Sequence, residues 1–195
     1  MKKTLLFLIL LSNLVANAQE ISVEKSIFTI HTGFLGVWFN NESKLSNNVS
    51  LKTEIGLEKD FSVGDHYDGA GFILQPVLTL EPRHYYNFEK RKNSNKKTAK
   101  NSGNFVALKT SYHPDWFVIN LDENTTKTAD LAIVPTWGLK RQIGNHFNYE
   151  AALGLGYRII YIKANSINGN VQNVDGAYNQ HQYIPYFNVR AGYTF

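Results

Sequence analysis

The last thirteen residues of the chain alternate in a way that a strand tolerates and a helix does not. Tyr183, Pro185, Phe187, Val189, Ala191, Tyr193 and Phe195 are all apolar or aromatic, and Ile184, Tyr186, Asn188, Arg190, Gly192 and Thr194 lie between them. A helix, with its period of 3.6, would mix the two sets; a strand sends them to opposite faces. The same period of two recurs along most of the chain, and it commits the sequence to an all-β, antiparallel fold.

From Phe147 to Lys163, one face carries Phe147, Tyr149, Ala151, Leu153, Leu155, Tyr157, Ile159 and Tyr161, and the other Asn148, Glu150, Ala152, Gly154, Gly156 and Arg158. From Ala129, Leu131, Ile133, Pro135, Trp137 and Leu139 oppose Asp130, Ala132, Val134, Thr136, Gly138 and Lys140. From Phe72, Leu74, Pro76, Leu78, Leu80 and Pro82 oppose Gln75, Val77, Thr79, Glu81, Arg83 and Tyr85. From Val106, Leu108, Thr110, Tyr112, Pro114 and Trp116 oppose Lys109, Ser111, His113 and Asp115. Val49, Leu51, Ile55 and Leu57 face away from Lys52, Glu54, Gly56 and Glu58. The run from Ile27 to Phe39 is apolar on both faces, so its orientation is not assigned by pattern. Pro76, Pro82, Pro114, Pro135 and Pro185 fall inside these strands. Proline cannot donate to a ladder, so bulges or ladder gaps are expected there.

The first stretch stands apart. Met1-Lys2-Lys3 is a basic n-region, Thr4 to Val15 a short apolar run, and Ala16-Asn17-Ala18 a small-x-small cleavage site. Residues 1–18 therefore read as a secretory signal peptide, with Gln19 to Phe195 as one mature domain. The apolar run is short for a span of about 30 Å of hydrocarbon. Without Lys2 and Lys3, 18 basic residues face 16 acidic ones, so the alkaline character of the chain is no argument for nucleic acid. There is no cysteine, so neither disulfides nor thiolate metal sites can hold the fold. With 11 Tyr and 12 Phe but a negative mean hydropathy, the composition suits strands that show lipid one face and a polar lumen the other.

The expected fold is thus an antiparallel up-and-down transmembrane β-barrel. Seven strands are legible, and the even number usual in bacterial single-chain barrels makes eight the expectation. If Phe195 lies in the periplasm, the loops 164–182, 118–127 and 60–70 face outward. The turns 142–146 and 40–48 and the basic segment 89–101 then face the periplasm. The strand at Ile27 would start outside, which conflicts with a periplasmic mature N-terminus. A short strand within 19–26 or 164–182, or a shifted boundary, would resolve the conflict. A soluble, lipocalin-like barrel would place its apolar face inside. The girdle-like aromatics, the polar partner faces and the terminal Phe195 favour lipid outside.

The C-terminal run from Phe187 to Phe195 resembles the signal read by the outer-membrane barrel assembly machinery. Asn47-Asn48-Val49-Ser50-Leu51 resembles the short periplasmic turns of small OmpA/OmpX-like barrels. Glu81 to Asn87, Asn101 to Phe105, Tyr112 to Phe117 and Pro135 to Gly138 look like segments of a poorly characterised exported bacterial barrel family. This resemblance spans nearly the whole mature chain. It implies an outer-membrane location, with lipid and the assembly machinery as partners, and it carries no activity and no functional residues.

Three groups of residues bear on chemistry. Ser111, His113 and Asp115 share one strand face with neighbours roughly 7 Å apart. Outer-membrane lipid hydrolases carry a Ser and a His two apart on a strand, but there the pair must meet an ester at the lipid surface. Here the register turns Ser111 and His113 into the lumen, in the reverse of the His-x-Ser order of the deacylase compared. A triad also needs Ser–His contact and an oxyanion hole, neither of which is legible. The expectation is an interior polar network and no enzyme.

The second group is the inward charge: Lys52, Arg83, Lys109, Lys140, Arg158 and Arg190 against Glu54, Glu58, Glu81, Asp115, Asp130 and Glu150. Such balance suggests paired charges that fill a narrow barrel; the competing reading is a small ion pathway. The third is the basic run Lys90-Arg91-Lys92, Lys96-Lys97 and Lys100, read as a solvated turn and alternatively as a surface for anionic headgroups. No aromatic is interleaved in it, so single-stranded nucleic acid is not indicated. The six histidines are scattered, and no metal or cofactor is implied.

Overall fold

The computed structural model describes residues 22–34, 36–59, 74–117, 119, 129–162 and 177–195. The 1–18 segment and most of the three long loops expected at one end lie outside these residues. Eight antiparallel strands close into a barrel in sequence order. They are β1 (Ser26–Gly33), β2 (Gly36–Lys44), β3 (Val49–Lys59), β4 (Leu74–Tyr85), β5 (Asn104–His113), β6 (Ala129–Ile143), β7 (Phe147–Ile162) and β8 (Tyr178–Thr194). A short helix, α1 (Phe88–Asn93), and a 3-10 turn (Ala99–Asn101) lie between β4 and β5.

The missing eighth strand was concealed in the run Ile27–Phe39. That run is a hairpin, with Gly33 paired to Gly36 across a two-residue turn. Phe28, Ile30 and Thr32 point outward before the turn, and Val37 and Phe39 after it. Crossing the turn switches the outward set from even to odd numbers, which makes the unbroken sequence look apolar on both faces. The turn expected at 40–48 shrinks accordingly, because Asn40 to Lys44 belong to β2. With eight strands, Ser26 and Phe195 lie at the same end of the barrel, and the conflict over the N-terminus disappears. β8 also begins earlier than expected, so Tyr178 to Gln182 are strand and not loop.

The barrel is strongly staggered. Starting at Thr194, the ladder runs through Thr29, Asn40, Glu54, Thr79, Ser111, Ala132 and Arg158 and returns to β8 at Gln182, twelve residues from where it began. Stagger and tilt are geometrically linked, so the strands lean at about 45° to the barrel axis. Every ladder keeps one register throughout, so no bulge accompanies Pro76, Pro82, Pro135 or Pro185, and Pro114, expected within a strand, lies just beyond the end of β5. Two gaps do accompany prolines. The β4–β5 ladder skips from Leu80 to Arg83, across Pro82. The β6–β7 ladder skips from Ile133 to Thr136, across Pro135. Beside that gap Gly154 pairs with Thr136, and a β-carbon on it would stand 2.3 Å from the Pro135 carbonyl oxygen, so glycine is what lets the two backbones approach there.

The short-turn end is closed. Phe88 of α1 stacks on Tyr85, with ring centroids 4.8 Å apart, and joins Val23 and Phe105 in a small buried cluster. The segment 89–101, expected as a plain polar turn, thus opens with the rest of a helix whose first residue, Phe88, caps the barrel.

At the β1–β2 turn, Gly36 has φ +153°, and a β-carbon there would fall 1.9 Å from the Leu57 carbonyl oxygen. Gly36→Ala must shift β2 away from β3. A loss of about 2–4 kcal/mol in stability is expected, measured as a lower urea midpoint of the refolded protein.

Candidate functional site: the charged interior

Alternation turns a charged face of every long strand inward, and the barrel brings these faces within reach of one another. Arg83 on β4 crosses to Glu150 on β7, with its two terminal nitrogens 2.8 and 2.7 Å from the carboxylate oxygens. The same guanidinium holds Glu81 of its own strand at 3.1 Å and lies over the Phe105 ring at 4.2 Å. Lys52 on β3 joins Glu150, at 3.4 Å, to Glu54, at 2.9 Å. Glu54 in turn accepts from Arg190 on β8 at 2.7 Å, and Arg190 lies 4.0 Å above the Trp38 ring. Four strands are thereby tied through one continuous chain of ion pairs. A second tie runs from Lys140 on β6 to Glu42 on β2 at 2.8 Å. Glu42 also accepts from the Ser50 hydroxyl at 2.7 Å and the Tyr85 hydroxyl at 2.8 Å. All these side chains are buried. Bidentate geometry and carboxylates shared between two bases are what make burial of so many charges tolerable.

Neutral groups continue the network. Asn40 Nδ2 donates to His31 Nδ1 at 2.8 Å, and His31 Nε2 reaches Asn148 Oδ1 at 2.9 Å. Asn148 Nδ2 donates to the Thr194 hydroxyl at 2.8 Å, which meets Thr29 at 3.2 Å. These contacts lie at the β8–β1 seam, where the sheet closes.

The line Ser111, His113, Asp115 is not assembled into a unit. The Ser111 hydroxyl meets Thr79 at 3.1 Å. His113 Nδ1 meets Asp130 at 2.9 Å, and Asp130 is also gripped by Arg158. Asp115 lies beyond His113, where β5 ends, and so leaves the strand face on which alternation placed it. Its place among the interior acids is taken by Glu42. Sequence reasoning missed Glu42 because it was assigned to a turn; once β2 is recognised, its alternation with Trp38 and Asn40 points it inward. Of the basic run, Lys90 and Lys92 lie exposed in α1. Arg91 instead donates to the Lys97 carbonyl at 3.1 and 2.8 Å, which folds the segment back on itself. Among the described residues, no group of three His, Asp or Glu side chains is placed to hold a metal ion.

The outer surface is the reverse of the interior. Phe28, Ile30, Phe39, Ile55, Leu80 and Leu153 are among the large apolar side chains left exposed around the wall. Rings concentrate at both rims: Phe147, Tyr193 and Phe195 pack edge to face at one end, and Tyr157 and Tyr183 at the other. Trp137 donates its indole N–H to the Tyr86 hydroxyl at 2.7 Å. Compared with known proteins, the chain matches no family model, no curated protein and no solved structure.

Glu150→Ala would leave the Arg83 guanidinium and the Lys52 ammonium buried without their shared partner. A loss of about 3–5 kcal/mol is expected on urea unfolding. Arg83→Met combined with Glu150→Leu should recover a large part of it, since the apolar pair removes both charges together.

Proposed function

We propose that this chain is an outer-membrane β-barrel with a structural or surface-interaction role, its interior filled by paired charges. The observation that carries the reading is the inversion of polarity. Charged side chains are buried inside the sheet while Phe, Leu, Ile and Tyr cover its outside. In water this arrangement exposes a continuous apolar belt, far beyond the patches of a few hundred Å² that soluble monomers tolerate. In a bilayer the same belt is solvated by acyl chains, and the closed sheet leaves most backbone groups satisfied. A soluble ligand-carrying barrel would need the opposite distribution.

Further features support this reading. Strands β3 to β8 have 10 to 17 residues, against the roughly 9–11 that a tilted membrane strand requires. The aromatic rims match the preference of Tyr and Trp for the two membrane–water interfaces. No helix among the described residues is long and apolar enough to cross a membrane, which is no obstacle to crossing by strands. In this orientation the end capped by Phe88 faces the periplasm and the long loops face out, where recognition residues are commonly carried. The small OmpA/OmpX-like likeness and the use of the assembly machinery belong to the same proposal. So does export after cleavage near Ala18.

The interior favours a plug over a pore. Cross-barrel ion pairs occupy its middle, and the cluster of Val23, Tyr85, Phe88 and Phe105 blocks the short-turn end. The same pairing argues against catalysis, because Ser111 and His113 are each engaged elsewhere.

The protein is expected in the outer-membrane fraction, with a mobility on gels that changes on heating. Recovery wholly in the soluble periplasm, with no heat-dependent shift, would overturn the proposal. In planar bilayers no stable, reproducible conductance step is expected, and the appearance of one would reject the plug.

A further inference from the structure

Arg141 is a charge on the row of β6 that faces outward. It follows Trp137 and Leu139 on that row near the end of the strand, while Lys140 beside it points inward. Its guanidinium is held by neutral acceptors: the Gly103 and Lys140 carbonyls, each at 2.8 Å, and the side chain of Asn104. Asn104 ties this corner to α1, because its backbone N–H donates to the side chain of Asn87 at 2.7 Å. The Asn87 carbonyl accepts the backbone N–H of Arg91 at 3.0 Å, so Arg91 stands one helical turn further on. The Arg91 guanidinium is fixed in turn by its two bonds to the Lys97 carbonyl. β6 and α1 thus bring two arginines to one corner of the short-turn rim, each pinned by oxygens that carry no charge.

Neither arginine has a carboxylate partner among the described residues. Burial and the Arg141 guanidinium both hold Arg91 below its ordinary value, and only the phenol of Tyr149 opposes them. Tyr149, which pairs with Arg141 across the β6–β7 ladder, lies beside Arg141 as well, together with Tyr86. The acids closest in the chain are placed elsewhere. Glu89 is exposed in the first turn of α1, and Glu24 accepts the backbone N–H of Lys100 at 3.2 Å. Lys90, Lys96 and Lys97, on the same segment as Arg91, are exposed and add to the positive field. The corner is also aromatic. The Tyr86 hydroxyl accepts from the Trp137 indole at 2.7 Å and from Asn104 Nδ2 at 3.4 Å, which leaves its own proton to donate. An apolar wall with interfacial rings therefore meets two like charges that nothing in the protein neutralises.

We propose that this corner binds an anionic phospholipid of the adjoining leaflet. Its phosphodiester bridges Arg91 and Arg141, and its acyl chains lie on the wall along Leu139, Trp137 and Val106. The inference rests on the membrane reading above, which brings this rim to the lipid–water interface. A guanidinium carries more N–H donors than the protein oxygens use here, so both arginines can donate to one phosphate while keeping their present bonds. The phosphate supplies the negative charge that their approach lacks. The exposed lysines would repel the ammonium of a zwitterionic headgroup, which favours a headgroup without one, as in phosphatidylglycerol. A soluble phosphate would gain nothing from Trp137 and Leu139, so the lipid is the source that uses the whole corner.

The test uses the exported protein, purified from membranes and placed in nanodiscs that mix phosphatidylcholine with phosphatidylglycerol. Native mass spectrometry reads the lipids that stay bound. The wild type should retain phosphatidylglycerol in preference to phosphatidylcholine, and inorganic phosphate should not displace it. Arg141→Gln should weaken retention about tenfold and Arg91→Gln about fivefold, against about twofold or less for Lys96→Gln combined with Lys97→Gln. The variants should keep the heat-dependent gel shift. Arg91 lies outside the barrel wall, so its variant decides the matter even where Arg141→Gln fails to fold. An inserted wild type without preference for phosphatidylglycerol overturns this inference alone. Unchanged retention by a folded Arg91→Gln variant does the same. So does a loss as large in the lysine variant, which would mark diffuse attraction, or displacement by inorganic phosphate, which would mark a free-anion site. A protein that never enters the bilayer overturns both this inference and the membrane reading beneath it.

Discussion

The cross-barrel contact between Arg83 and Glu150 is the constraint on which the rest of the structure depends. Two strands on different sides of the barrel, β4 and β7, are joined through a bidentate pair at 2.8 and 2.7 Å. Lys52, Glu54 and Arg190 extend that pair to β3 and β8. A charge buried there without its partners would be strongly destabilising. The network can form only when all four strands stand in one register, so it couples closure of the sheet to satisfaction of its charges.

That coupling explains the distribution of everything else. Because the interior is occupied by polar groups that need one another, the apolar residues of each strand are left outside. The outward belt and the inward network are two consequences of one alternation. The strong stagger suits this arrangement: one ladder circuit passes through Thr194, Thr29, Asn40, Glu54, Thr79 and Ser111, so inward groups climb the barrel as a spiral. The network weakens where that order runs out. At Lys109 the ammonium faces the Tyr186 ring, 5.2 Å from its centroid, in place of a direct ion pair.

Much of this was legible in residue order. The inward assignments of Lys52, Arg83, Lys140, Glu150 and Arg190 followed from period two alone, and these side chains are buried. The N-terminal hairpin was not legible, because a two-residue turn at Phe34 reverses the parity of the apolar positions without a break in hydrophobicity. Glu42 was lost with it. Asp115 was misplaced for the opposite reason, since its alternation continues past the point at which β5 ends. The role of Phe88 was hidden too: in a basic segment a single aromatic gives no sign that it will stack on Tyr85.

The sequence by itself determined which side chains share a face, because strand geometry makes that a matter of counting by two. It also determined the class of fold, since alternating segments without cysteine or long helices must satisfy their backbone by pairing with one another. Only the tertiary structure decided which charges meet, because partners such as Lys140 and Glu42 are 98 residues apart in the chain and touch only after the sheet closes. It alone decided that Ser111 would answer Thr79 and His113 would answer Asp130, so that the suggestive spacing of Ser111, His113 and Asp115 never became a unit.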